Sequence, residues 1–63
     1  MNIRIYKSNG STEMFHGVKM VTDSTHHIYV SFLSGLQLKF HKNVAKSIHI
    51  HHEGTHSQMR EEF

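Results

Sequence analysis

Cysteine, proline and long apolar runs are all missing from this chain of 63 residues. The absence of cysteine excludes disulfides and thiolate zinc sites. The absence of proline leaves every backbone N–H able to join a β-ladder. No apolar stretch approaches the 18 or so residues of a membrane-spanning helix, and the first ten residues lack the apolar segment of a signal peptide. We therefore expect a cytoplasmic protein that does not contact a membrane.

The chain is short enough to be a single domain, and a domain of this size buries only about 60% of its unfolded surface. Domains of this size usually need a covalent crosslink, a bound metal or a partner chain for stability. We therefore expect a homodimer or a larger homo-oligomer. Seven basic and five acidic side chains give a net charge of +2, which is too small a bias for a dedicated nucleic-acid arm. Eight histidines add positive charge below about pH 6.5.

Alternation of apolar and polar residues is the main pattern, and it predicts β-strands. Asn9-Gly10 predicts a tight hairpin turn after the first strand. The second predicted strand is long, and Gly17 interrupts its alternation as a β-bulge does. The five predicted strands cover about residues 3–6, 12–22, 27–32, 36–41 and 47–52.

The predicted fold is all-β, with five short antiparallel strands in a meander. Either an SH3-like small barrel or an open sheet that dimerises would protect the sheet edges. A single helical turn is expected before the last strand, with Val44 pointing inward. The expected core consists of Ile3, Ile5, Phe15, Val18, Met20, Ile28, Val30, Phe32, Leu36, Leu38, Phe40, Val44, Ile48 and Ile50.

Residues 1–54 are predicted to form the β domain, and residues 55–63 a C-terminal tail. Thr55-x-x-Gln58 has the pattern of a capping box and predicts one or two helical turns. Met59 and Phe63, four residues apart, would dock such a helix.

Four histidines lie within the ten residues SIHIHHEGTH, 47–56. His49 and His51 are two apart on a predicted strand and therefore share a face. Zinc or nickel is the metal that such a pair would bind, with His41, Glu53 or His56 as a further ligand. Because no complete ligand set is evident, we expect no cofactor and keep this site as an alternative.

Catalysis by these histidines is not expected. Ser47 lies two residues before His49, but no acid is placed to orient the imidazole, and no Gly-x-Ser-x-Gly motif is present. The chain is therefore predicted not to be an enzyme.

Binding through a surface is the remaining class of function. A protein partner is expected, because exposed Tyr, His, Met and Arg are typical of protein interfaces. The alternative is DNA or RNA binding, with Tyr6 and Tyr29 stacking on bases and Lys39 and other lysines contacting phosphates. The candidate partner-binding residues are Tyr6, Tyr29, Lys39, His41, His49 and His51.

A resemblance extends over about residues 1–52. The residues that carry it are Asn9-Gly10, Val30, Phe32, Gly35, Leu38, Phe40 and Ser47-Ile48-His49-Ile50. This order of hairpins resembles small β-rich proteins of Gram-positive phages and prophages, although the histidine-rich last strand departs from them. The resemblance implies origin on a mobile element, and such proteins include anti-CRISPR proteins and small nucleic-acid-binding accessory proteins. We therefore expect a non-enzymatic module that inhibits a host defence protein by occluding its working surface.

Overall fold

Seven short β-strands make up the protein in a computed structural model that describes residues 1–52 and 58–63. They are β1 Asn2–Lys7, β2 Thr12–Phe15, β3 Val18–Asp23, β4 His27–Phe32, β5 Gln37–His41, β6 Ala45–His51 and β7 Gln58–Glu62. The described residues contain no helix, so none that could cross a membrane is found among them. The prediction of an all-β fold is confirmed.

The strands form two antiparallel sheets. One is four-stranded in the order β2-β1-β6-β7, and the other is three-stranded in the order β3-β4-β5. Two hydrogen bonds join the sheets at one corner: the amino group of Met1 donates to the Val18 carbonyl (2.9 Å), and the Val18 N–H donates to the Met1 carbonyl (3.0 Å). The described strands do not close into a barrel, so the SH3-like barrel is not confirmed.

Gly17 is where the chain passes from one sheet to the other. Its φ of 68° lies in the left-handed region, which glycine adopts without a steric penalty. β2 ends at Phe15 and β3 begins at Val18 in the other sheet, so the prediction of one strand over 12–22 is wrong. A register irregularity does occur, but it lies between Val18 and Met20.

The hairpin predicted from Asn9-Gly10 is confirmed. The Gly10 N–H donates to the Lys7 carbonyl at 3.0 Å, and the Lys7 N–H donates to the Ser11 carbonyl at 2.8 Å. Gly10 has a φ of 87°, which fits a type I turn followed by a left-handed residue. The turn fixes the register of β1 on β2.

The core lies between the inner faces of the two sheets. Three aromatic rings contribute to it, since the Phe15 ring centre lies 5.8 Å from that of Phe32 and 5.9 Å from that of Phe40. Both contacts fall in the range in which aromatic rings attract each other. The buried apolar residues are Ile3, Ile5, Val18, Ile28, Val30, Ala45, Ile48 and Ile50.

Three predicted core residues are on the surface instead: Met20 is 52% exposed, Leu36 57% and Val44 45%. Met20 follows the register irregularity and is paired with Ser31. Leu36 lies in the turn before β5. Beside a bulge or a turn, simple alternation no longer tells which face a side chain occupies.

The segment before β6 is a hydrogen-bonded turn, so the predicted helical turn is not confirmed. The Val44 N–H donates to the His41 carbonyl (2.9 Å), and the Val44 carbonyl accepts from the Ser8 N–H (2.8 Å). These bonds hold residue 44 at the surface. Ala45 takes the buried position that the sequence had suggested for Val44.

The C-terminal residues form a strand. β7 pairs with β6 from Ser47↔Glu62 to His51↔Gln58, and Phe63 packs against the core. The helical prediction is therefore wrong for residues 58–62. The capping box at Thr55 and the domain boundary at residue 54 lie outside the described residues and stay predictions.

Candidate binding surface

The outer face of the four-stranded sheet brings together side chains from all four of its strands. In the register of the strands, Met14 is paired with Arg4, Arg4 with His49, and His49 with Arg60. These four residues therefore lie in one line across the sheet. We call Arg4, His49 and Arg60 the basic row. Because neighbouring strands lie about 4.8 Å apart, the Cα atoms of the two arginines are about 10 Å apart across His49.

Arg4 is an exposed cation without a carboxylate partner among the described residues. Its guanidinium lies 3.5 Å from the Met14 sulfur, which is only a weak hydrogen-bond acceptor. Ion pairs in the described part of the chain join Lys7 to Glu13, Lys42 to Asp23 and Arg60 to Glu62. The guanidinium of Arg4 is thus available to an anion from outside.

Arg60 is held in place by two contacts. Its guanidinium carbon lies 5.0 Å from the centre of the Tyr6 ring, and its Nε donates to the Glu62 carboxylate at 2.9 Å. The first is a cation–π interaction and the second an exposed ion pair. They fix the orientation of Arg60 and leave its terminal nitrogens for other acceptors.

Ser47 lies between Tyr6 and Glu62 in the next row of this face. Only 3% of its surface is exposed. The contact between Arg60 and Tyr6 passes from the row of His49 to the row of Ser47. A covered hydroxyl is poorly placed to attack a substrate.

A shallow depression of about 210 Å³ lies beside the basic row, lined by Asn2, Ile3, Arg4, Met14, His49 and His51. Pockets for small molecules usually have volumes of about 300–1,000 Å³. The depression has the size for one side chain of a partner rather than for a whole cofactor.

His49 and His51 both lie on this face, opposite Arg4 and Asn2. In residues 1–52 and 58–63, no group of three or more His, Cys, Asp or Glu is arranged to hold a metal ion. Of the further ligands considered, His41 lies in the other sheet, while Glu53 and His56 lie outside the described residues. The zinc or nickel site stays a prediction.

The outer face of the three-stranded sheet carries the other candidates. Tyr29 is paired with Lys39, and His27 with His41. The His27 ring centre lies 5.0 Å from that of His41 and 6.2 Å from that of Tyr29. The Asn43 N–H donates to His41 Nδ1 at 3.0 Å, which holds that ring.

The six candidate residues thus divide between opposite faces of the protein. Tyr6, His49 and His51 lie on the four-stranded sheet, and the other three lie on the three-stranded sheet. A single flat partner contacts one set or the other. This division could not be predicted from residue alternation, because it depends on the passage of the chain between the two sheets at Gly17.

Arg4, Met14 and Arg60 also belong to this surface, although they are not among the six candidate residues named above. Alternation with Ile3 and Ile5 already places Arg4 on an outer face, so the pattern could have identified it. Arg60 could not be placed in this way, because the tail was expected to be helical.

His27 is surrounded by groups that carry or acquire positive charge: His26 beside it in the chain, and Lys39 and His41 on β5. Desolvation of the ring, then the charge of Lys39, and then the two histidines lower the pKa of His27 below its ordinary value of 6.5. The nearby carboxylate of Asp23 is paired with Lys42.

This lowered pKa predicts loss of stability in acid. Well above pH 6.5 the ring is neutral in both the folded and the unfolded state, and its titration has no effect on stability. As the pH falls below 6.5, the unfolded chain binds a proton that the folded protein resists, so the free energy of unfolding decreases. We expect the melting temperature to fall between pH 7.5 and 5.5, and to fall less in H27Q.

K39Q removes one of the positive charges near His27. The fall in melting temperature between pH 7.5 and 5.5 should therefore also be smaller in K39Q than in the wild type. The measurement is thermal unfolding by circular dichroism at five pH values. An equal decrease in the wild type and in H27Q would assign the acid sensitivity to other groups.

Comparison of the chain with protein-family models, with curated proteins and with solved structures found no match.

Proposed function

We propose that the protein is a non-enzymatic binding module of phage type that acts in the cytoplasm of a host cell. It inhibits a host defence protein by covering that protein's working surface. The contact is made by the outer face of the four-stranded sheet. The observation that carries this proposal is the joint exposure of Arg4, Met14 and His51 beside an anchored Arg60.

The composition of this face favours a protein partner. Arg, Tyr and Met are enriched in interface cores, and Tyr6, Met14, Arg4 and Arg60 lie in adjacent rows. The depression beside them can accept one side chain, as interface anchors require. A flat face with one such depression suits steric occlusion better than uptake of a small substrate.

Nucleic-acid binding is the second candidate, and it is favoured by the other face. Tyr29 lies opposite Lys39, with the rings of His27 and His41 beside them. An aromatic ring next to a cation is the arrangement that binds single strands by stacking and phosphate contact. A metal site at His49 and His51 is a lesser candidate, and a rise in melting temperature with added zinc would support it.

Self-association is part of the proposal. β2, β7, β3 and β5 are edge strands, and edge strands can pair with another copy of a chain. Sedimentation equilibrium at several protein concentrations tests for a dimer, and a single monomer mass throughout would contradict it.

The test of the protein-binding proposal compares the two faces. Tagged wild-type protein captures its partner from a nuclease-treated lysate of Gram-positive bacteria. The double variant M14S/H51S changes the four-stranded sheet, and Q37S/K39S is the matched control on the three-stranded sheet. All four side chains are exposed, so both variants should melt as the wild type does.

We expect one protein to be retained by the wild type and by Q37S/K39S, and its retention to fall about tenfold with M14S/H51S, as loss of interface anchors predicts. The activity of that protein should fall when the purified wild type is added in equal amount. Loss of binding in Q37S/K39S alone, with sensitivity to nuclease, would instead support the nucleic-acid candidate.

A further inference from the structure

We infer that the basic row is a recognition site for a carboxylate, an aspartate or glutamate side chain on the surface of the partner protein. This inference rests on the proposed function and names the chemistry of the partner. It is carried by the line Arg4–His49–Arg60 and the depression at its side.

The first argument is electrostatic. Two arginines flank one histidine across three adjacent strands, with β6 between the strands that carry the arginines. Arg60 is partly compensated by Glu62. Arg4 faces a thioether instead of a carboxylate. An external anion would supply the charged acceptor that Arg4 lacks among the described residues.

The second argument is geometric. A guanidinium presents parallel N–H groups that match the two oxygens of a carboxylate. Arg60 is already oriented by Tyr6 and Glu62, so less side-chain freedom is lost when it accepts a ligand. Asn2 and His51 line the adjoining depression and provide further polar contacts.

The third argument distinguishes a carboxylate from a chain of phosphates. A nucleic-acid strand needs a continuous positive track. Here the row is about 10 Å long, and Glu62 lies at one side of it, two residues from Arg60. Lys7 and Lys42 are paired with carboxylates away from the row, and Lys39 lies on the other sheet. The charge is local and fits one or two acidic side chains.

The test is an NMR titration of the ¹⁵N-labelled full chain with a hexaglutamate peptide. A hexathymidylate oligonucleotide is titrated in parallel as a phosphate probe of similar charge. We expect hexaglutamate to shift the amide signals of β1, β6 and β7 around the basic row. The oligonucleotide should bind this row at least about fivefold more weakly.

Two variants of Arg4 and one control make the test specific. R4Q should weaken hexaglutamate binding about fivefold, the effect of a strong exposed ion pair. R4K should recover only part of that loss, because an ammonium does not form the paired contact. K19Q removes one exposed positive charge from β3, and it should change the affinity by less than about twofold, as expected for a distant screened charge.

Three outcomes would overturn the inference: no shifts with hexaglutamate, equal binding by R4Q and the wild type, or tighter binding of the oligonucleotide at the row. Failure of the inference is distinct from failure of the proposed function. A partner that is lost with M14S/H51S but retained with R4Q would leave the protein-binding role in place and exclude the carboxylate site.

Discussion

The substitution I48A is expected to lower the free energy of unfolding by about 3–4 kcal/mol, the usual cost of truncating a fully buried isoleucine. Ile48 has no exposed surface, and it lies on β6 between β1 and β7. A chain of this size has only about 3–9 kcal/mol of stability in total, at about 0.05–0.15 kcal/mol per residue. Part or all of the protein should therefore unfold.

L36A is the matched control, since it removes the same number of carbon atoms from a side chain that is 57% exposed. It should change stability by less than about 0.5 kcal/mol. Urea denaturation followed by circular dichroism measures both variants. Similar losses in the two variants would place Leu36 in the core, as alternation had predicted, and would contradict the turn before β5.

Ending the chain at His52 is expected to have the second largest effect. This removes β7, with its pairing to β6, and Phe63, which packs against the core. Loss of a partly buried phenylalanine alone costs about 2 kcal/mol. The truncation also moves the edge of the sheet from β7 to β6 and uncovers the core surface against which Phe63 packs. Exposed apolar surface favours association between molecules.

The shortened chain should melt at a lower temperature and elute from size-exclusion chromatography as larger species than the full chain. E61Q is the control, because it changes an exposed side chain of β7 and leaves the backbone pairing intact. An unchanged melting temperature and elution volume after truncation would mean that the last residues are a dispensable tail.

The pattern of residues in the sequence was sufficient to place several strands and turns. Ile3 and Ile5, like Ile48 and Ile50, alternate with polar residues, and each pair is buried. Asn9-Gly10 specified its hairpin through local backbone preference. These features depend on neighbours in the chain, and alternation or turn chemistry encodes them directly.

The candidate site was predicted only in part, because the sequence pattern encodes only those features that depend on neighbours in the chain. Alternation placed Tyr6, His49 and His51 on outer faces, and the register of β1 on β6 brings them onto one sheet. Tyr29, Lys39 and His41 also face outward, but from the opposite sheet. Sequence spacing carries no information about which sheet a strand joins.

The sequence by itself determined that this protein is all-β and which residues of its regular strands face inward. Tertiary structure alone decided that β2 and β3 belong to different sheets and that residues 58–62 add a strand beside β6. It thereby placed Arg60 next to His49 and opposite Arg4 across the row. The physical reason is that strand pairing joins residues distant in the chain, so its register depends on contacts that no local pattern contains.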